Sequence, residues 1–367
     1  MSKKKQETTP KYYSLDAILK ENADYNIIIG ERSNGKTFAV LLYALKRYCT
    51  TGEQTAYVRR WREDIRGKRA ECLFTNHVQT GYVSDLTGGK YNYIIYRSNR
   101  WYLANENEIC ETPFCFAFAL SEQEHEKSSS YPNITTIIFD EFLTRSYYLP
   151  DEFMLLMNIL STIIRQRNNV KIFMLGNTVN KFCPYFSEMG LKNIAVQKQG
   201  TIDVYKFGSE GAVVAVEYTA SMEKSKQSNK YFCFDNENLQ MITGGKWEIA
   251  IYPHLPVKYQ PKDVVFVFYI VFNDTTLQGN IIVNDTSNFV YIHAKTTPIK
   301  DKDNNLIYSL ECSNKPNYRR KIISTATEIE KKIAMYFVTE KVFYQTNEIG
   351  EIVRNYIKVS STNNVLK

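Results

Sequence analysis

No apolar run in this 367-residue chain approaches the roughly 18 residues that a membrane-spanning helix needs, so a membrane protein is not expected. No apolar core stands behind the lysine-rich start, Met1 to Thr9, so a signal peptide is not expected either. The seven cysteines are odd in number, scattered, and free of any C-x-x-C pair. That argues against a disulfide framework or a zinc site and for small buried thiols in a reducing, intracellular setting. The four histidines, His77, His125, His254 and His293, lack metal-ligand spacing and are assigned no chemistry. No internal repeat is visible.

What is present supports a packed, two-domain protein. Hydrophobic residues make up 44% and charged residues 23%, enough for a core and too few charges for wholesale disorder. Tyrosine (27) and phenylalanine (20) are abundant and supply core bulk and stacking surface. The formal charge of +7 is a mild basic excess, consistent with a nucleic-acid partner without establishing one.

One segment organises the chain. The apolar run Asn26-Ile27-Ile28-Ile29 leads into Gly30-Glu31-Arg32-Ser33-Asn34-Gly35-Lys36-Thr37, a G-x-x-x-x-G-K-T phosphate-binding loop. Gly30 and Gly35 let the backbone turn tightly and approach phosphates, and the loop amides and the following helix start form an anion cradle. Lys36 reaches the outer phosphates and the Thr37 hydroxyl ligates magnesium, which makes residues 30–37 an ATP site. Phe38 to Leu42 begins the apolar helix that the motif requires.

From about residue 25 to 200, short apolar strands alternate with helices, the signature of an α/β fold with a parallel sheet. Strands are expected at Gln54–Val58, Thr135–Phe139 and Val170–Leu175, the last ended by Gly176-Asn177-Thr178, and a helix at Met154–Ile164. The expected organisation is a flexible basic arm at 1–12, a phosphate-loop ATPase domain at 13–205, a linker at 206–230 and a C-terminal domain at 231–367. Glu217 to Lys230, polar and helix-compatible with Lys224, Lys226 and Lys230, belongs to that linker. Val264–Ile270, Gly279–Val283 and Phe289–Ala294 predict an antiparallel sheet, and Thr325–Met335 and Ile349–Ile357 predict helices, so the C-terminal domain reads as α+β.

A phosphate loop needs a carboxylate to order magnesium and a base for the attacking water. Ile137-Ile138-Phe139-Asp140-Glu141 supplies both at a strand end, with Asp140 as the metal-shell acid and Glu141 as the base. Asn177 or Thr178, at the end of a neighbouring strand, is a candidate sensor of the outer phosphate. Arg165 and Arg167 follow the apolar helix; on spacing alone they read as ordinary helix-end cations. The run Arg59, Arg60, Arg62, Arg66, Lys68 and Arg69 with Trp61 is a candidate DNA-backbone contact, a solvated charged helix being its rival. Lys315, Arg319, Arg320 and Lys321 form a smaller patch with the same two readings.

At these residues the chain resembles the phi29-type DNA-packaging ATPases of short-tailed phages, the encapsidation proteins. The carriers are IIIGERSNGKT (27–37), AYVRRW (56–61), EKSSSYPNITTIIFDEF (126–142), IIRQR (163–167) and LGNTVNKFCPYF (175–186). Weaker likeness runs from Val267 through Ile292.

The resemblance implies a ring-forming ATPase of the additional-strand, conserved-glutamate class. It implies ATP and Mg2+, translocation of double-stranded viral DNA into a preformed procapsid, docking on the portal vertex, and a homopentamer. A packaging RNA as a further partner is left open. The setting is the host cytoplasm, with transient residence at the portal and absence from the mature virion. Residue by residue, Arg32 matches an arginine inside the loop, and Asp140 and Glu141 match the magnesium and catalytic acids. Arg165 matches a trans-acting finger, Lys127 a second cation across the subunit interface, and Arg62 a basic position in a DNA-facing loop. The C-terminal domain resembles a ribonuclease-H-like nuclease fold that has lost its chemistry. Its candidate central strand, Val264–Val271, has no aspartate, and Asp274 and Asp285 lie beyond strand ends. Acids elsewhere, Asp235, Glu237, Glu248 and Asp263, keep an active nuclease open as the alternative; a nucleotide-gated DNA- or portal-binding module is the other.

Overall fold

The computed structural model describes residues 13–361 apart from 126–129, 145–147, 179–182, 210, 221–251, 256, 273–274, 286, 312–314 and 324–325. The chain divides into two units near residue 248. The first is built on a nine-stranded sheet: β1 (Tyr25–Gly30), β2 (Gln54–Arg59), β3 (Tyr93–Arg97), β4 (Arg100–Ala104), β5 (Cys115–Ala119), β6 (Ile134–Asp140), β7 (Lys171–Asn177), β8 (Thr201–Lys206) and β9 (Val213–Tyr218). Their order across the sheet is β3-β4-β5-β2-β6-β7-β1-β9-β8. The six strands from β5 to β9 run parallel. β3 and β4 at one end and β8 at the other are antiparallel.

The apolar runs read from the sequence are the central strands because a parallel sheet is covered on both faces. Every residue of β6 is buried, and so is all of β1 after Tyr25. The helix Lys36–Thr51 packs Val40, Leu41, Ala44 and Leu45 into the core, which also takes in Tyr57, Phe74, Trp101 and Phe114.

Two expectations change here. β7 does not stop at Leu175 but continues through Gly176 and Asn177. The expected domain end at 205 falls inside β8, and residues 213–218 are not linker but β9, hydrogen-bonded along β1. Val213-Val214-Ala215-Val216 is apolar enough to enter the sheet, and pairing with β1 overrides the helix-compatible spacing that begins at Glu217. Residues 221–230 of the expected linker, and the arm at 1–12, lie outside the described residues.

The second unit carries β10 (Val264–Phe272), β11 (Thr275–Val283), β12 (Asn288–Ala294), β13 (Leu306–Ser309), β14 (Tyr318–Arg319) and β15 (Val342–Tyr344), in the order β14-β13-β10-β11-β12-β15. β10, β11 and β12 form the expected antiparallel meander. The sheet as a whole is mixed rather than antiparallel: β13 runs parallel to β10, β14 to β13, and β15 to β12. A meander with a fourth strand parallel to the first and a fifth beside it is the ribonuclease-H order that the resemblance implies. The helices fall at Glu328–Val338 and Asn347–Ser361. Thr327 and Glu330 form a reciprocal capping box that starts the first of them.

Candidate nucleotide site

Three strand tips converge on one cleft. β7 lies between β1 and β6, with Gly30 opposite Asn177 and Leu175 opposite Asp140. The phosphate loop leaves β1, the acid pair ends β6, and Asn177 stands on the strand between them. Lys36, Thr37, Asp140, Glu141 and Asn177 line a cleft of about 220 Å³. Whole-ligand pockets are usually roughly 300–1,000 Å³.

The loop is held by two strands at once. Ser33 (φ 60) and Gly35 (φ 92) take left-handed backbone conformations, which cost glycine little. Gly30 has no room for a side chain, because an added Cβ would lie 1.8 Å from the Thr219 hydroxyl. Thr219, just past β9, donates its amide to the Ile29 carbonyl (2.8 Å) and its Oγ1 accepts from Asn34 Nδ2 (3.1 Å). Asn34 Oδ1 in turn accepts from the Lys36 amide (3.2 Å) and ammonium (3.2 Å).

The Lys36 ammonium also donates to the Glu31 carbonyl (2.7 Å) and to Asn177 Oδ1 (3.4 Å). The ammonium is thus turned onto the loop and onto β7. Burial pushes its pKa down to about 8, against the pull of Asp140 and Glu31. Of the two candidate sensors, Asn177 lines the cleft. Thr178 is buried and donates its amide to the Gly30 carbonyl (3.0 Å), so it braces the loop. Arg32 and Ser33 are exposed, and Ser33 also lines the cleft.

The two acids sit in different surroundings. Asp140 is buried; Oδ1 accepts from Thr37 Oγ1 (3.3 Å) and from the Glu141 amide (3.0 Å), and Oδ2 from the Tyr57 hydroxyl (3.0 Å). Burial raises its pKa, and Arg59 and the Tyr57 hydrogen bond oppose the rise. The Thr37 hydroxyl and this carboxylate are hard oxygen donors side by side, the donor set that suits magnesium. The Glu141 side chain is 59% exposed and stands on a left-handed backbone (φ 57).

The basic run does not form one solvent-facing helix. It splits into a 3-10 turn at Arg62–Ile65 and a short helix at Gly67–Glu71. Arg59, its side chain 15% exposed, pairs with Glu141 (2.6 Å), Asp64 (3.3 Å) and Asp140 (3.9 Å). Burial acts against its charge; Tyr57, Asp140 and Glu141 outweigh that and hold it protonated. Arg60 is buried against Glu152. Both differ from the solvent-facing cations that the run suggests: at a strand end beside acids, these guanidinium groups are drawn inward. Arg62 pairs with Glu122 and Arg69 with Asp64. Arg66, Lys68 and Arg69 remain exposed. In the smaller patch, Arg319 pairs with buried Glu330 and Lys315 with Asp303.

Arg165 is exposed at the end of the helix Glu152–Ile164, with φ 52, and does not line the cleft. Arg167 is committed elsewhere: its guanidinium donates to the carbonyls of Tyr131, Pro132, Ile134, Ile163 and Ile164. Lys127 lies outside the described residues. Tyr57, Thr219 and the inward roles of Arg59 and Arg60 were not found from the sequence. AYVRRW was singled out, but nothing local says which of its cations meet an acid.

A parallel sheet with an added strand between the phosphate-loop strand and the acid strand, and a glutamate after the strand-end aspartate, defines the additional-strand P-loop ATPase fold. The chain belongs to the Podovirus DNA encapsidation protein (Gp16) family, whose model matches residues 8–358. The DNA packaging protein of Bacillus phage PZA is 26% identical over 283 residues, covering 74% of this chain and 76% of that one. That of Bacillus phage B103 is 32% identical over 188 residues, covering 48% and 50%. Among solved structures, the Phi-28 gp11 DNA packaging motor has a TM-score of 0.59 at 17% identity, over 97% of this chain and 100% of that one. The bacteriophage Phi-29 genome packaging motor assembly has a TM-score of 0.59 at 21% identity, over 95% and 99%. Both likenesses are of fold.

Proposed function

We propose that this protein hydrolyses ATP with Mg2+ to drive double-stranded viral DNA into a preformed procapsid, as a ring of copies at the portal vertex. The observation that carries this reading is the convergence of Lys36, Thr37, Asp140, Glu141 and Asn177 on one cleft.

Loop amides and the Lys36 ammonium grip the β- and γ-phosphates. Thr37 and Asp140 would hold magnesium, which when bound neutralises phosphate charge. Glu141 takes a proton from the attacking water, and Asn177 Oδ1 or its amide orients that water or the outer phosphate. In the conformation described, Arg59 holds the Glu141 carboxylate, so turnover requires that pair to open. Arg165 and Lys127 of one copy complete the site of the next, in a homopentameric ring. Exposed Arg66, Lys68 and Arg69 contact DNA phosphates without regard to sequence, so binding weakens steeply with salt.

The motor works in the host cytoplasm and at the portal, not in the mature virion; a packaging RNA is a partner that its basic arm could meet. The C-terminal unit does not cut DNA in this reading: β10, the central strand, carries no carboxylate. Among the described residues no three His, Cys, Asp or Glu side chains group as a metal site, while Asp235, Glu237, Glu248 and Asp274 lie outside them. Plasmid incubated with the protein and Mg2+ or Mn2+ should stay intact; cleavage by the purified protein overturns this part.

Lys36→Ala should reduce turnover by at least roughly 100-fold and weaken nucleotide binding, since it removes an ammonium aimed at the phosphates. Phosphate release and titration with a fluorescent ATP analogue measure both. Turnover that DNA and procapsids leave at zero in the unaltered protein would favour the binding-module alternative.

A further inference from the structure

Arg60 follows β2 directly, and its guanidinium is 5% exposed. Nε and Nη2 donate to the two carboxylate oxygens of Glu152 at 2.7 and 2.9 Å. Nη2 also donates to the Phe142 carbonyl (2.7 Å) and Nη1 to the Glu141 carbonyl (3.2 Å). Glu152 is buried and accepts a further bond from the Tyr185 hydroxyl (2.7 Å). The Tyr185 ring is wedged edge-on against Phe139, Phe142 and Phe153. The network therefore spans β2, the segment after β6 and the first turn of the helix Glu152–Ile164.

Glu141 holds a left-handed backbone (φ 57), which a residue with a Cβ adopts only when its surroundings impose it. The two carbonyls that Arg60 grips are those of Glu141 itself and its successor. A buried ion pair contributes little to stability compared with well-packed apolar residues of similar volume, so stability alone does not account for this one. We propose that Arg60, locked by Glu152 and Tyr185, is a positioning residue that fixes the main chain of Glu141 and so aims its carboxylate for hydrolysis. The proposal rests on the ATPase reading. It also joins the acid's backbone to the helix that ends at Arg165.

Two variants test it. Arg60→Lys keeps the charge but not the fork that reaches both carbonyls. The triple variant Arg60→Met, Glu152→Met, Tyr185→Phe replaces the ion pair and the hydroxyl bonded to it with apolar groups. Both are expected to fold by circular dichroism and to bind a fluorescent ATP analogue with a Kd within roughly twofold of the unaltered protein. Their kcat is expected to fall roughly 10- to 100-fold, the effect of a misaimed group rather than a missing one. Added to Glu141→Gln they should cause no further loss, since the group they aim is already gone.

An unchanged kcat in either folded variant overturns the proposal, as does a full additional loss on top of Glu141→Gln. Should both variants misfold, Tyr185→Phe alone, which deletes one hydroxyl from ring packing, decides. A several-fold lower kcat with unchanged affinity supports the clamp; an unchanged kcat sinks it. If the unaltered protein fails to hydrolyse ATP, the ATPase reading fails. If it turns over and the Arg60 variants match it, the clamp alone fails.

Discussion

Glu141→Gln should bind ATP normally and turn it over roughly 10²- to 10⁴-fold more slowly, the range that a general base supplies. Glutamine has the same shape and loses the charge that accepts a proton. The side chain is 59% exposed and outside the core, so the fold does not depend on it. The contacts that would grip phosphates come from Lys36, Thr37 and the loop amides, which the substitution leaves in place. Arg59 keeps Asp64 and Asp140 as partners after losing the Glu141 charge, so the site's neighbouring acids stay ordered. Analogue binding and phosphate release, measured on the same preparation, separate the two effects. A variant that hydrolyses at the normal rate would remove Glu141 from the role of base.

The second large effect belongs to Arg165. Arg165→Ala should lower turnover in assembled rings by roughly 10³- to 10⁵-fold, the range of arginine fingers that stabilise charge on a transferring phosphoryl group. The geometry makes the test decisive. Arg165 does not line the cleft of its own copy and stands exposed beyond a helix end. Its neighbour in sequence, Arg167, is bound into the chain's own carbonyls and should not substitute for it. On the proposed roles, rings of Arg165→Ala subunits lack fingers, and rings of Glu141→Gln subunits lack bases. Mixed rings contain interfaces where an intact site faces an intact finger, so turnover should return in part. If no mixing ratio restores it, Arg165 acts within its own subunit or not at all.

Sequence legibility was uneven for a physical reason. The phosphate loop and the Asp140-Glu141 pair are contiguous, and their chemistry requires particular residue types at short spacing, so they stand out without any knowledge of the fold. Arg59 and Arg60 looked alike, two cations in a basic run. One is 2.6 Å from Glu141 and the other grips Glu152, 92 residues further on. Nothing local distinguishes them, because desolvation and pairing depend on which acid the fold brings near. Thr219 carried no signal either, since its contact with Asn34 spans 185 positions.

By itself the sequence determined the phosphate loop, the acid pair, the buried central strands, and the two-part organisation of an α/β unit followed by an α+β one. These follow from side-chain type and periodicity within a few residues. Tertiary structure alone decided that β7 and β9 flank β1, that Asn177 rather than Thr178 faces the cleft, and that two arginines turn inward. Those outcomes depend on strand pairing and on charges meeting across long separations. Such pairing is chosen by the burial and hydrogen bonding of the whole sheet, which no short stretch of chain encodes.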